Sequence, residues 1–441
     1  MNAEVEEPLL LQSRTIEQDV REEGDDKGSL WMVYLSTFVV VWGSYEFGIA
    51  AGYSSPTQAA IMEDLNLSLD ELPIHRFASF LTHTRTGSWA GGWGALALDI
   101  GRLSTGYAIG VFSYVVPVFI AETAPKSIRG HLTTLNQLMI ISGVSITFVI
   151  GIVLNWRTLA LIGLIPCLFL LVGLLFIPES PRWLAKIGRN TEFKEALQKL
   201  RGMKADISIE TAEIQDYIDI LENCPKARLL DLFQRRYLRS LIVGVGLMVC
   251  QQFGGKNGIS FYQTQVLVSA GFPSNLGIIL IACLQVVVTA LGAILVDEVG
   301  RRALLLISGT GMVIGSLIAA LSFYLKAYQL SLEVVPALAI TGMLVYQGFF
   351  SIGMGAIPWI VMSEIFPINV KGAAGSLATS VNWFGSWICS YTFNYLINWS
   401  SYGTYIIYAA INILAVTFIA ILVPETKSRT LEEIQAAINK S

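Results

Sequence analysis

Ten apolar runs set the layout of the chain: 31–52, 103–121, 132–153, 158–177, 241–265, 276–296, 303–325, 334–361, 374–397 and 403–423. Each is close to the roughly 20 residues that a helix needs to cross a hydrocarbon core. The pattern predicts an all-α polytopic membrane protein with ten clear spans. Polar sequence divides it into an acidic tail at 1–29, a first transmembrane half at 30–177, a linker at 178–240, a second transmembrane half at 241–424 and a tail at 425–441. In the linker, 191–201 and 208–222 read as short amphipathic helices. Thr430 and Glu433 form a capping box that opens a last short helix in the tail.

Basic residues give the expected orientation. Twelve Lys or Arg lie in 178–240. Lys126 and Arg129 follow the second run, Arg301 and Arg302 share a later loop, Lys371 lies in another, and Lys427 and Arg429 follow the last run. The alternate loops are nearly bare of positive charge. The basic loops and both termini are therefore expected on the cytoplasmic side. The glycosylation sequons Asn66-Leu67-Ser68 and Asn398-Trp399-Ser400 then fall on the opposite side.

Composition narrows the chemistry. Of 441 residues, 54% are hydrophobic and 14% charged, against about 25% charged in a soluble domain. A net charge of -4 offers no footprint for nucleic acid. The five cysteines (Cys167, Cys224, Cys250, Cys283, Cys389) are scattered, without metal spacing, and read as small core residues. The acidic start gives no reason to expect a cleavable signal peptide. No nucleophile–base pair marks an enzyme. Gly309-Thr310-Gly311 with Gly315 has the wrong spacing for a dinucleotide fingerprint and lies in a span. Neither cofactor nor metal is expected.

The chain repeats itself. Ala121-Glu122-Thr123-Ala124-Pro125 and Arg129-Gly130 match Ser363-Glu364-Ile365-Phe366-Pro367 and Lys371-Gly372, both pairs 242 positions apart (122 to 364, 130 to 372). Pro178-Glu179-Ser180-Pro181-Arg182 ends the first half as Pro424-Glu425-Thr426-Lys427 ends the second. Two parallel halves around a long linker are a transporter plan. The halves differ in length. From 241 to Glu364 is 123 positions, but from 31 to Glu122 only 91, so about 32 residues are absent, enough for one helix and a turn. In their place stands 71–98, with His75, Arg76, His83 and Arg85 where hydrocarbon-compatible sequence is due. Its composition reads as an alternative exon or a shifted reading frame. The segment 89–98 is apolar but too short to span. The flanking runs already have compatible orientations, so 53–100 is expected to stay on the non-cytoplasmic side. His75 and His83 lack a third ligand for a metal.

Candidate chemistry concentrates in 251–262, QQFGGKNGISFY. Amides in hydrocarbon are costly unless paired, and glycines loosen a helix where something must approach its backbone. Gln251, Gln252 and Asn257 serve either helix–helix bonding or a neutral polyol flanked by Phe253, Phe261 and Tyr262.

This run resembles the QQxxGxN motif of the sugar-porter branch of the major facilitator superfamily. So do PESPRWL (178–184), DEVGRR (297–302), AIPW (356–359), VNWFG (381–385) and PETKSRT (424–430). The chain is similar to the early-responsive-to-dehydration-type monosaccharide transporters of plants, over everything except about 71–98. The resemblance implies the superfamily fold of two six-helix halves, with a first DxxGRR loop that this chain lacks. Asp99-Ile100-Gly101-Arg102 only resembles that loop and takes the place of the short connection into the fourth helix. The implied sugar site is Gln137, Gln251, Gln252, Asn257, Gln285, Trp359 and Asn382, with Trp359 against the sugar's C–H face, beside the helix-breaking Pro358. An implied cytoplasmic latch joins Glu122, Arg129, Glu179 and Arg182 to Asp297, Arg301, Arg302, Glu364 and Lys371 when the cavity opens outward. Part of that set is equally explained by positive-inside topology and helix caps.

Three departures stand out. Ser351 takes the place of a Glu contact in animal glucose facilitators. Ala50 stands where proton-coupled members carry an Asp, leaving Glu46, one turn earlier, as the candidate for proton coupling. Lys256 replaces a usually uncharged residue. A lone lysine at that depth costs about 2.5–3.5 kcal/mol or more, and Glu46 is its expected ion-pair partner. The resulting expectation is a monosaccharide transporter, facilitated or proton-coupled, with lipid bilayer and monosaccharide as partners. Glu6, Leu10 and Leu11 fit an acidic dileucine signal read by a sorting adaptor, which points to the vacuolar membrane, with the plasma membrane as the alternative. The rivals are a truncated, transport-impaired isoform that acts only by association, and a carrier of another polyol such as inositol.

Overall fold

A computed structural model describes residues 30–64, 89–125, 128–223, 229–366 and 370–427. The expectations for Glu6, Leu10, Leu11, His75, Arg76, His83, Arg85, Cys224, Asn66 and the capping box at Thr430 lie outside these residues. The first half contains α1 (Trp31–Gly52), α2 (Ser54–Asp64), α3 (Trp89–Thr123), α4 (Arg129–Ile150), α5 (Trp156–Ile162) and α6 (Leu164–Leu174). Three amphipathic helices follow, α7 (Pro181–Lys186), α8 (Asn190–Arg201) and α9 (Ser208–Asn223). The second half is α10 (Arg235–Phe253), α11 (Lys256–Phe261), α12 (Gln263–Ala270), α13 (Ser274–Val299), α14 (Arg301–Ala327), α15 (Val335–Phe349), α16 (Ile357–Ile365), α17 (Lys371–Trp399) and α18 (Ser401–Leu422).

Eight helical stretches are long and apolar enough to cross a membrane. The less apolar α4 and α17, with 22 and 29 residues, have the required length as well. Polar caps start several helices. Asn155 Oδ1 accepts from Thr158 N at 2.8 Å, and Ser400 Oγ from Gly403 N at 3.1 Å. Ser180 Oγ accepts from Trp183 N at 3.2 Å, with Pro181 in the first turn of α7.

The halves are packed unequally. Most buried apolar residues form one core in the second half, and Phe148 of α4 joins it. The first half has a smaller cluster around Val33, Val40, Val116 and Ile120. On α3, Leu103, Tyr107 and Tyr114 are 62%, 78% and 70% exposed, so among the described residues its outer part has fewer helix neighbours than its inner end. The linker helices enclose a small core of their own around Leu184, Phe193, Leu197, Ile214 and Ile218. Arg201 fixes them to the membrane domain. It donates to both Glu210 oxygens (2.7 and 2.6 Å) and to the Thr123 carbonyl (2.9 Å).

One expectation needs correction, and two of the expected spans are broken within their length. Asp99–Arg102 is not a connection between elements but lies inside α3, a single helix of 35 residues. Pro117 is the only proline in it, and isolated glycines cost about 1 kcal/mol each without ending a helix. The run 241–265 is not one helix, because it breaks at Gly254–Gly255. The run 334–361 also divides, at a π turn over Phe350–Met354 ahead of Pro358.

Candidate functional site

The break between α10 and α11 builds the site. Gly255 has φ +102, a conformation open to glycine, and a Cβ there would lie 2.7 Å from the Tyr408 ring. The Gly254 carbonyl released by the break accepts from Tyr346 Oη (2.9 Å) and Asn412 Nδ2 (3.1 Å). The break turns the two ends toward each other, and Asn257 Nδ2 donates to Gln252 Oε1 at 2.6 Å.

Around this break the amides form a connected layer. Gln251 donates to the carbonyls of Met354 (2.6 Å) and Gly355 (3.0 Å), which the π turn leaves free. Its Oε1 accepts from Asn382 Nδ2 (2.8 Å) and Gln252 Nε2 (3.3 Å). Asn257 also donates to Ser386 Oγ at 2.6 Å. Gln285 donates to Gln347 Oε1 at 3.3 Å, and its own Oε1 is buried without a partner. Five residues predicted from sequence (Gln251, Gln252, Asn257, Gln285 and Asn382) thus lie in the second half, all but Gln285 in one bonded network. Trp359 stands half-buried at the start of α16, and Gln137 half-buried on α4 in the other half. Neither bonds to the network.

Gln347 was missed. Fully buried, it accepts from Lys256 Nζ and Gln285, and donates to Ser260 Oγ at 3.1 Å. Its signal in the sequence is a single amide in the otherwise apolar stretch VPALAITGMLVYQGF.

The expected Glu46–Lys256 ion pair is not formed. Lys256 reaches across its own half to Gln347, with its ammonium 4.9 Å from the centre of the Phe350 ring. Glu46 stays within the first half. Its Oε1 lies 3.8 Å from where a Cβ on Gly163 would sit, and its Oε2 is buried with no partner. The reason is placement: Lys256 opens α11 beside α15, whereas Glu46 faces the junction of α5 and α6.

The described latch bonds stay inside each half. Ser180 Oγ donates to Glu122 Oε2 at 2.5 Å, and Ser180 N to Glu179 Oε1 at 3.2 Å. Arg301 donates to Glu364 Oε1 at 3.3 Å. Glu425, unassigned in the latch, accepts from the backbone of Arg301 (3.0 Å) and Arg302 (3.1 Å). Arg302 donates to the Ala420 carbonyl at 2.5 Å. The Arg129 and Asp297 side chains lie outside the described residues, Lys371 is exposed at the start of α17, and Arg182 follows the α7 cap. At the opposite end the halves touch. Ser55 Oγ lies 3.0 Å from Thr264 Oγ1, Ser145 Oγ donates to the Ala282 carbonyl at 3.2 Å, and the Phe47 and Trp383 rings meet edge-on at 6.1 Å.

Among the described residues no group of three or more His, Cys, Asp or Glu side chains could hold a metal. The network offers neutral donors and acceptors, and the Lys256 side chain is bonded separately to Gln347.

The pattern of the "Sugar (and other) transporter" family matches residues 75–438. The Arabidopsis thaliana protein "Sugar transporter ERD6-like 7" is 57% identical, over 99% of this chain and 98% of its own length. That alignment has 468 positions against 441 residues here, so at least 27 positions have no counterpart in this chain. "Sugar transporter ERD6-like 16" of the same plant is 53% identical over 96% and 94%. In structure, the chain resembles the inward-open E. coli xylose transporter XylE (25% identity, TM-score 0.71, covering 92% of this chain and 99% of that one). The same values for identity and TM-score hold for the proton:xylose symporter XylE bound to 6-bromo-6-deoxy-D-glucose, covering 92% and 98%.

Proposed function

The chain belongs to the sugar (and other) transporter family, and from that premise we propose that it carries monosaccharides, hexoses such as glucose, by alternating access. It is a multi-pass membrane transporter and not an enzyme. One observation carries the hexose reading, namely the amide layer at the α10–α11 break. Gln251, Gln252, Asn257 and Asn382 are already bonded to one another, so the donors and acceptors for sugar hydroxyls are preorganised in one place. Gln137 and Trp359 complete the cavity from its other walls.

The closed end at Ser55–Thr264 and the latch bonds kept within each half support a cavity open on the side of the basic loops. The charge bias of those loops makes that side the cytoplasm. The latch then joins the halves only in the outward-open state. Glu46, a half-buried acid on α1 with one buried oxygen unpartnered, is the residue for proton coupling. The dileucine signal at Glu6, Leu10 and Leu11 directs the protein to the vacuolar membrane.

The test is uptake of labelled glucose into vesicles holding the purified chain, with and without an imposed proton gradient. Uptake competed by hexoses supports the reading. Competition by inositol alone replaces the substrate. Stimulation by the gradient that survives Glu46→Gln removes Glu46 from the coupling.

A second reading is favoured by the positions missing from the alignment and by the bare outer part of α3. In it, the shortened first half transports poorly, because one wall of its cavity is open and its latch lacks the first DxxGRR loop. Uptake equal to that of a chain with the absent residues restored overturns this reading.

A further inference from the structure

We propose that the cavity prefers an acidic monosaccharide, a hexuronate, whose carboxylate pairs with the Lys256 ammonium. The proposal rests on the sugar-transport reading and names the substrate class of that same site. Among the described residues Lys256 has no carboxylate partner, and the spans of its half carry almost none. From 235 to 296 there is no Asp or Glu. From 301 to 363 there is only Glu333, in the turn before α15, and from 371 to 423 there is none. The acid of the first half on α1, Glu46, faces Gly163 instead.

The ammonium has three protons to donate. One goes to Gln347 Oε1, an oxygen that Gln285 also uses, and the Phe350 ring supplies the other contact. Donor capacity is left over, and the residue is half-buried rather than sealed. Lys256 also immediately precedes Asn257, which bonds into the amide layer through Gln252 and Ser386. The charge therefore sits one residue from the amides that would hold ring hydroxyls. A hexuronate keeps those hydroxyls and carries a carboxylate in place of the primary alcohol, so it needs no larger cavity. A neutral hexose leaves the ammonium uncompensated, whereas a uronate neutralises it with a charge-assisted hydrogen bond.

The experiment uses the purified full chain in detergent. D-Glucose, D-glucuronate and the methyl ester of D-glucuronate compete for binding with labelled D-glucose. The ester removes the charge and adds only a methyl group. Glucuronate is expected to bind about tenfold or more tightly than its ester, a gap within reach of a single charge-assisted bond. K256Q should collapse that ratio, and K256R, which keeps the charge, should retain most of it. Equal binding of acid and ester, or a ratio that survives K256Q, overturns the proposal. Glucose binding with glucuronate excluded overturns it too and leaves the sugar-transport reading standing. Binding of none of the three overturns both.

Discussion

Ser55 Oγ and Thr264 Oγ1 lie 3.0 Å apart although 209 positions separate them in the chain, and each belongs to a different half. The proposed alternating access requires this contact to open once per cycle. A disulfide there would hold the end closed. The double variant S55C/T264C is expected to form a cross-link under mild oxidation and to lose most of its uptake until reduced. Cross-linking is read by mobility after cleavage in the linker, with single-cysteine variants as controls. Full uptake by the cross-linked protein would show that this contact does not gate the path.

Gln251 has two jobs that its place in the sequence does not separate. It shares the amide layer, and it also satisfies the carbonyls of Met354 and Gly355. Gln251→Ala strands one buried and one part-buried acceptor, at about 1–3 kcal/mol per unsatisfied buried group. It should lower the melting temperature as well as sugar binding. Gln252→Ala and Asn257→Ala, each losing hydroxyl partners worth about 0.5–1.5 kcal/mol, should weaken sugar binding with a smaller thermal effect. Paired melting and binding curves test the split. Equal thermal losses for all three variants would place Gln252 and Asn257 in the framework rather than in the site.

Much of this was legible because helices in lipid must be both long and apolar. The spans follow from that constraint, the halves were read from the internal repeat, and the amide motif from polar residues set in an apolar run. What the sequence hid depends on where side chains point. Lys256 and Glu46 looked like obligatory partners, since each is a charge alone in an apolar run. Yet Gln347 and Phe350, on another helix of the same half, take the ammonium. Glu425 was visible as half of a repeated Pro-Glu motif, but its donors became clear only once α14 was placed beside the end of α18. The subdivision of 334–361 was foreshadowed by Pro358, whereas the π turn ahead of it left no mark that a single sequence reveals.

Gly255 offers a sharper test of the site's construction. Its φ of +102 and the Tyr408 ring, 2.7 Å from any Cβ, exclude a side chain on two independent grounds. Gly255→Ala should destabilise the bundle by about 1–3 kcal/mol. It should also disturb the register of Asn257 against Gln252, so that binding falls even in protein that remains folded. Thermal unfolding and sugar binding of the purified variant check this. A variant with native melting and native affinity would mean that the break is not what positions the amides.

Glu425 provides a pH-dependent test that also separates the halves. α14 begins after Gly300 without a side-chain cap, and its first amides, those of Arg301 and Arg302, are bonded instead by the distant Glu425 carboxylate. Thr426 N and Lys427 N donate to the same group at 3.0 and 3.1 Å. Partial burial pushes this acid up, but the four backbone donors outweigh it and hold it below its usual 4.5. Its charged form is therefore bound more strongly in the folded state. The stabilisation is complete above 4.5 and is lost as pH falls through the depressed folded value. Glu425→Gln should cost about 0.5–2 kcal/mol near neutral pH, as loss of a helix cap does, and the gap to wild type should close in acid. Glu179 occupies the same place in the repeat, yet among the described residues it accepts only from Ser180 N, at 3.2 Å. The first half has no DxxGRR loop to offer it amides, so Glu179→Gln should cost less than Glu425→Gln at every pH. Melting curves of the three proteins across the acid range decide the matter. A Glu425→Gln loss that stays constant as the pH falls would sink the capping account. Equal losses at both glutamates would mean that the first half supplies amides from elsewhere in the chain.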